Sequence, residues 1–185
     1  MLIAAAEEQF DTHSYAEVSM ESIGKSAGLS GPAIYNHFAS KDDLFLETIK
    51  GRIVNYNRAI TIGVNVEGDW KDKYNNLLIE VRPFQGSQSG FQSISGAVMN
   101  RLRDKPEKFA ELRELREESS KVFRGLVKEA VDCGDLSDDV DISIAGDLLM
   151  AITVGAINTV SFYHSDPRDM PTIVDALKAL LGTRA

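Results

Sequence analysis

The chain has 185 residues, of which 43% are hydrophobic and 26% charged, so its length fits one domain or a small domain joined to a larger one. This composition is that of a globular protein and excludes the disordered, collagen-like and low-complexity classes. A single cysteine, Cys133, excludes an internal disulfide and a zinc site built from cysteines, and the net charge of −8 argues against a protein that holds a polyanion by bulk attraction.

Apolar residues recur at helical spacing along most of the chain, whereas strand patterns are almost absent. The sequence therefore predicts an all-α protein of about nine helices. The first predicted helix has Leu2 and Phe10 on its apolar face. The others are, in chain order, 19–27, 31–37, 41–62, 69–81, 91–103, 106–133, 142–160 and one after Pro171.

Helix boundaries in the N-terminal part are marked by capping and turn residues. Ser19 is placed to cap the second helix, Gly28 to end it, and Pro32 falls in the first turn of the third, where a missing N–H costs little. Two short helices, 19–27 and 31–37, joined by Gly28-Leu29-Ser30, fit a helix-turn-helix, in which the second helix enters the DNA major groove.

Spacing alone leaves two interpretations of this segment open. In the first, Tyr35 and His37 donate to phosphates, Ala33 approaches base edges, and Ser19 and Lys41 contact phosphate at the starts of their helices. In the second, three short amphipathic helices form a bundle that never meets DNA, and Tyr35 and His37 are packing residues.

The order of residue types in this segment is more specific than its spacing. The densest part is Gly28-Leu29-Ser30, followed by Ile34-Tyr35-Asn36-His37-Phe38 and then by Lys41. Over residues 2–46 the sequence closely resembles the DNA-binding domain of the TetR family of bacterial transcriptional regulators. The resemblance implies a TetR-like fold with a helix-turn-helix DNA-binding domain, 1–45, and a larger helical ligand-binding and dimerisation domain, 46–185.

The resemblance also implies which residues contact a palindromic double-stranded DNA operator, bound by a homodimer. By position these are Ser19, Met20, Ser30, Gly31, Pro32, Ala33, Tyr35, Asn36, His37 and Lys41. Two features depart from this expectation. Glu21 would lie close to phosphate, and residues 1–50 carry three lysines against eight acids, a net charge of −5, which is unusual for a DNA-binding module. Family members often carry a further basic turn before the position of Leu2, which is one expected source of positive charge.

In the larger domain the resemblance implies a small-molecule effector that shifts helix 41–62 and so changes the spacing of two DNA-binding heads. Large apolar side chains favour an apolar or aromatic effector, although each is also typical of an ordinary core. The candidate ligand-binding residues are Trp70, Tyr74, Leu78, Phe91, Met99, Phe123 and Met150. Arg113 and Arg116 have two interpretations: they bind a carboxylate or phosphate of the effector, or they belong to a solvated face, which the acidic residues within helical pairing distance favour.

Residues 142–160 are the most apolar stretch of the chain, but Asp147 and Asn158 argue against a membrane span. A helix that is apolar all round needs partners on two sides, and an identical subunit is the simplest second partner. The candidate dimer-interface residues are Gly146, Ala151, Gly155, Ala156, Ile173, Leu177 and Leu180.

No catalytic pattern of the common kinds occurs in the chain. The three histidines are scattered, and the HExxH, GxSxG and GxxxxGK[ST] motifs are absent. We therefore expect a cytoplasmic DNA-binding regulator, more often a repressor than an activator, with no enzymatic activity, cofactor, metal or membrane partner. The alternative is a helical small-molecule-binding protein or enzyme with a degenerate DNA-binding head, which the acidic first fifty residues favour.

Overall fold

The computed structural model describes residues 1–81 and 97–163, with side-chain surroundings as far as Gly155. Every regular element in these residues is a helix, so the prediction of an all-α fold is confirmed for them. The elements are α1 (Leu2–Thr12), α2 (Met20–Ser26), a 3₁₀-helix (Gly31–Asn36), α3 (Lys41–Val64), α4 (Trp70–Glu80), α5 (97–104), α6 (Ala110–Asp132) and α7 (Ile142–Tyr163). The predicted helix after Pro171 lies outside the described residues.

The second helix of the predicted helix-turn-helix is a 3₁₀-helix rather than an α-helix. Its six residues include Pro32, which has no N–H to donate, and the amide of Ala33 donates to the carbonyl of Ser30 three residues earlier (2.9 Å). Such a short segment gains too few i→i−4 bonds to favour α-helical geometry.

The chain forms two compact units. Of the described residues, 1–54 and 97–114 belong to the first unit, and 55–81 and 115–163 belong to the second. The N-terminal part of α3 thus lies in the first unit and the rest in the second. The division of the sequence into domains at 45/46 stays a prediction.

The core of the first unit is built by side chains from α1, α2, the 3₁₀-helix and α3. The most deeply buried are Phe10, Ile23, Ile34, Leu44 and Phe45. The Phe45 ring meets two other rings edge to face, with centroids 4.9 Å from Phe10 and 5.0 Å from Tyr15. This geometry is favourable for aromatic pairs and fixes α1 and the loop after it against α3.

In the second unit, α3 and α4 approach each other closely at Gly63. A Cβ on this glycine would lie 2.4 Å from the Cα of Leu77, and the Gly63 carbonyl accepts a hydrogen bond from the Asn76 amide at 3.0 Å. The sequence assigned Gly63 to a loop, but α3 continues to Val64. The glycine is needed for helix packing and does not end the helix.

A second close approach joins α6 and α7 within the same unit. A Cβ on Gly146 would lie 2.7 Å from the Cα of Arg124, and the Arg124 guanidinium donates to the Asp147 carboxylate at 2.9 Å. Asp147, the charged residue that interrupts the apolar stretch 142–160, is therefore paired within the chain. Across residues 1–81 and 97–163, no helix combines the length and apolarity that crossing a bilayer requires.

Candidate nucleic-acid interface

The N-terminus of α2 is fixed by a reciprocal pair of serine hydrogen bonds. The Ser22 amide donates to Ser19 Oγ (3.0 Å) and the Ser19 amide donates to Ser22 Oγ (3.2 Å). Gln9 on α1 ties down the same helix, because Ser22 Oγ donates to its Oε1 and its Nε2 donates to Ser26 Oγ, both at 2.9 Å. These bonds satisfy amide groups that a helix start leaves unpaired and hold α2 against α1.

The turn between α2 and the 3₁₀-helix depends on Gly28, whose φ of 74° lies in the left-handed region that glycine adopts without strain. Beyond the turn, Ile34 is fully buried and packs beside Gly24, where a Cβ would lie 3.6 Å from the Ile34 Cβ. This apolar contact anchors the 3₁₀-helix, so the side chains on its opposite face point outward.

Polar side chains occupy that outward face. Tyr35 is 54% exposed, and Asn36 and His37 are also exposed. These three consecutive exposed side chains, a phenol, an amide and an imidazole, can supply hydrogen-bond donors and acceptors to phosphates and base edges. The alternative in which Tyr35 and His37 are packing residues does not fit their exposure.

Most of the remaining predicted DNA contacts are at the surface. Ser19, Ser30 and Pro32 are exposed, Ala33 is half-buried, and Gly31 lies within the 3₁₀-helix. Met20 differs from the prediction, because only 6% of its surface is exposed. As the first residue of α2 it packs into the core, which the apolar character of the side chain explains.

The side chain of Lys41, one of the predicted DNA contacts, forms hydrogen bonds with main-chain groups of its own chain. Its Nζ donates to the carbonyls of Tyr15 and Val18, both at 2.8 Å, and lies 4.4 Å from the centroid of the Tyr15 ring. Burial and the nearby Arg101 charge lower the pKa of Lys41. The lysine therefore fastens the loop before α2 to the start of α3, a contact that its position in the sequence did not indicate.

An ionic cluster surrounds the first turn of α3. The buried carboxylate of Asp42 accepts from Tyr15 Oη (2.5 Å) and from Lys105 Nζ, and its Oδ1 lies 3.0 Å from Arg101 Nε. Burial alone would raise the pKa of Asp42, but these hydrogen bonds and charges outweigh it, so the pKa lies below its usual value. Burial and the Asp42 contact raise the pKa of Tyr15 to about 12.

The next carboxylate along the helix is also paired. Asp43 accepts from Ser40 Oγ (2.5 Å) and forms an ion pair with Lys108 (2.6 Å), and both contacts lower its pKa. Sequence reasoning missed these partners, because Lys105 and Lys108 are some sixty residues away and lie in a mixed-charge stretch typical of a solvated face.

The comparisons with known proteins agree with this geometry. Residues 2–48 match the family model of bacterial regulatory proteins, tetR family. Over these residues the chain is similar to the DNA-binding segment of that family. The HTH-type transcriptional activator FasR of Mycolicibacterium smegmatis is 37% identical to this chain over 54 residues, which make up 29% of the chain. The match spans a quarter of that relative's length.

Solved structures of bacterial regulatory proteins resemble the chain over its whole length. A regulatory protein of the tetR family from Rhodococcus RHA1 has a TM-score of 0.77 at 23% identity, covering 100% of this chain and 96% of that one. The regulator FadR of Bacillus subtilis, solved in complex with stearoyl-CoA, has a TM-score of 0.70 at 16% identity, covering 100% and 98%. At these identities the likeness shows the fold alone, so the predicted TetR-like fold is confirmed.

In this TetR-like fold, four of the predicted ligand-binding side chains are core residues of the second unit. They are Trp70, Tyr74, Phe123 and Met150, and Leu78 packs against the same cluster. Two of them also have polar partners there, since Trp70 Nε1 donates to Asp135 (2.8 Å) and Tyr74 Oη is bonded to Thr153 Oγ1 (2.8 Å).

The other two candidates do not join this group. Met99 is 67% exposed and belongs to the first unit, so it differs from the prediction, and Phe91 lies outside the described residues. In the part of the chain that the structure describes, no group of three histidine, cysteine or acidic side chains is arranged to hold a metal ion.

The predicted dimer-interface residues differ in their surroundings. Gly146 is buried against Arg124 of its own chain, so it differs from the prediction, since its lack of a side chain serves packing within the chain. Ala151 and Gly155 are exposed. The side chain of Ala156 and the residues Ile173, Leu177 and Leu180 lie outside what the structure describes.

Proposed function

We propose that the protein is a DNA-binding transcriptional regulator that binds a palindromic operator as a dimer, acts as a repressor, and is released by a small apolar or aromatic effector. The single observation that carries the proposal is the exposed trio Tyr35, Asn36 and His37 at the end of a 3₁₀-helix anchored by buried Ile34, within a segment that matches the TetR family model. Because these side chains are exposed, their donors and acceptors are available to the groups of a DNA groove.

Two exposed histidines give a matched test of this surface. We expect Tyr35→Ala and His37→Ala each to weaken binding to the DNA upstream of the protein's own gene by about tenfold, because each removes one hydrogen-bonding group. His13→Ala, at the exposed end of α1, should leave binding unchanged. Gel-shift titration at low salt measures all three.

The same titration separates the regulator from the alternative. A folded wild-type protein that shifts no DNA at low salt would contradict the proposal and favour a small-molecule-binding protein or enzyme with a degenerate head. If all three variants bind DNA as strongly as the wild type, the protein is still a DNA-binding regulator, but its DNA contacts lie outside the 3₁₀-helix and His37.

Support for an apolar or aromatic effector comes from the second unit. Its core combines large aromatic and flexible apolar side chains with two tyrosine hydroxyl groups, a lining typical of sites for mostly apolar molecules. The Bacillus subtilis FadR structure of the same fold holds stearoyl-CoA. The effector would act by binding one arrangement of α3 more tightly than another, which is the energetic requirement for any ligand-driven switch.

Support for a dimer comes from a stripe of small and apolar residues along α7. Ile144 (61% exposed), Leu148 (47% exposed), Ala151 and Gly155 follow one another at helical spacing, and a Cβ on Gly155 would meet nothing within 4 Å. This stripe would bury its apolar surface against the same stripe of a second copy, as a twofold interface requires.

A charge placed in this stripe should dissociate the dimer. We expect Leu148→Glu to raise the dimer dissociation constant by roughly tenfold or more, since the twofold axis brings two unpaired charges into one interface. Ile79→Glu, at a 49% exposed position on α4, should leave the dimer intact. Sedimentation equilibrium distinguishes the two, and a wild-type protein that is monomeric at micromolar concentration would refute the interface.

A further inference from the structure

Two carboxylates in the first turn of α3 are unfavourable for DNA binding, because this turn lies close in sequence to the proposed recognition helix. Asp42 and Asp43 lie six and seven residues after Asn36, the last residue of the 3₁₀-helix that we propose reads DNA. Unpaired, they would repel the phosphates that the adjacent helix N-terminus otherwise attracts. Such repulsion extends over about a Debye length, roughly 10 Å at moderate salt.

Three cations from residues 101–108, some sixty positions further along the chain, form ion pairs with these carboxylates. Arg101 and Lys105 pair with Asp42, and Lys108 pairs with Asp43, all within the first unit. The Arg101 guanidinium also lies 4.2 Å from the centroid of the Tyr15 ring. Three positive charges thus face two negative ones, and Lys105 keeps 52% of its side chain exposed.

The first 54 residues contain four other cations, of which Lys25 on α2 is exposed and two are paired with acidic side chains. Lys50 pairs with Glu47 and Glu111, both at 2.9 Å, and Arg52 pairs with Asp11 at 2.5 Å. Lys41 is held by two main-chain carbonyls. Residues 101–108 bring three cations, Arg101, Lys105 and Lys108, to the first turn of α3.

We propose that residues 101–108 contribute to DNA binding. Arg101, Lys105 and Lys108 neutralise Asp42 and Asp43, and this neutralisation allows DNA phosphates to approach the N-terminus of α3. This inference rests on the proposed function. It assigns the three cations as positioning residues, which act through the carboxylates that they neutralise.

The test removes the two lysines that keep the most exposure. Fluorescence anisotropy measures binding of Lys105→Met/Lys108→Met to a labelled duplex of the DNA upstream of the protein's own gene. We expect binding about three- to tenfold weaker at about 50 mM salt, and less than twofold weaker at about 300 mM, because salt screens the repulsion between the carboxylates and the DNA phosphates. Lys73→Met/Lys128→Met is the matched control, since it frees Glu129 and Asp132 in the second unit and should bind like the wild type.

Restoring neutrality should restore binding. Adding Asp42→Asn and Asp43→Asn to the double lysine variant should bring the affinity back to within about twofold of the wild type, since the repulsion is then gone. Thermal melts check that the variants fold. If the double variant does not, Lys108→Met with and without Asp43→Asn repeats the test at a half-buried pair.

Three outcomes would overturn the inference. Unchanged affinity in the lysine variant would show that residues 101–108 do not influence DNA binding. A loss that persists at high salt and is not rescued would show a purely structural role. Failure of the wild-type protein to bind any DNA would overturn the proposed function and this inference together, whereas the first two results leave the proposed function standing.

Discussion

Replacing Gly63 with alanine is expected to lower the free energy of unfolding by about 2–3 kcal/mol, because the new methyl group overpacks a tight helix contact. Its Cβ would lie 2.4 Å from the Cα and 3.0 Å from the amide nitrogen of Leu77, and Leu77 is fully buried. Backbone atoms of a buried helix cannot rotate away as a flexible side chain can. Chemical denaturation followed by circular dichroism measures the change.

Gly51, on the same helix, provides the control. A Cβ at this position would meet nothing within 4 Å, so Gly51→Ala should raise stability by about 0.5–1 kcal/mol through better helix propensity. If Gly63→Ala were as well tolerated as Gly51→Ala, the close approach of α3 and α4 would be refuted.

Replacing Phe45 with alanine is expected to cost about 3–5 kcal/mol, which is the usual range for a large aromatic removed from a core. The Phe45 side chain is fully buried and meets both Phe10 and Tyr15 edge to face. Since these contacts hold α1 and the following loop against α3, the variant should also lose DNA binding. Thermal denaturation and gel-shift titration measure the two effects.

Val54→Ala is the comparison for this prediction. Val54 lies on the same helix and is 47% exposed, so its truncation should change stability by less than about 1 kcal/mol. Retention of wild-type stability and DNA affinity in Phe45→Ala would mean that the aromatic cluster does not hold the domain together.

Much of the fold follows from local signals in the sequence. The caps at Ser19 and Gly28 and the apolar spacing of α1 and α2 predict the helix-turn-helix, because these signals act between residues a few positions apart. The exposure of Tyr35 and His37 was also predicted as one of two alternatives. It follows from Ile34, which commits one face of a short helix to the core.

What the sequence could not supply depends on contacts between distant segments. Asp42 receives Lys105 and Arg101 from some sixty residues away, and no periodicity indicates that pairing. Gly146 was predicted at a dimer interface because small residues permit close approach, but the pattern does not say which helix approaches. Met20 was assigned to DNA by its position in a motif, although its apolar side chain is buried.

Hydroxyl-radical footprinting of the full-length protein on the DNA upstream of its own gene tests the central claim most directly. We predict two protected half-sites related by inverted symmetry, with centres about 10 base pairs or a multiple of one helical turn apart, because a twofold dimer places its two recognition helices in successive major grooves. The footprint should disappear in Tyr35→Ala at the same protein concentration. The absence of any protected site at low salt, with the protein folded, would contradict the account.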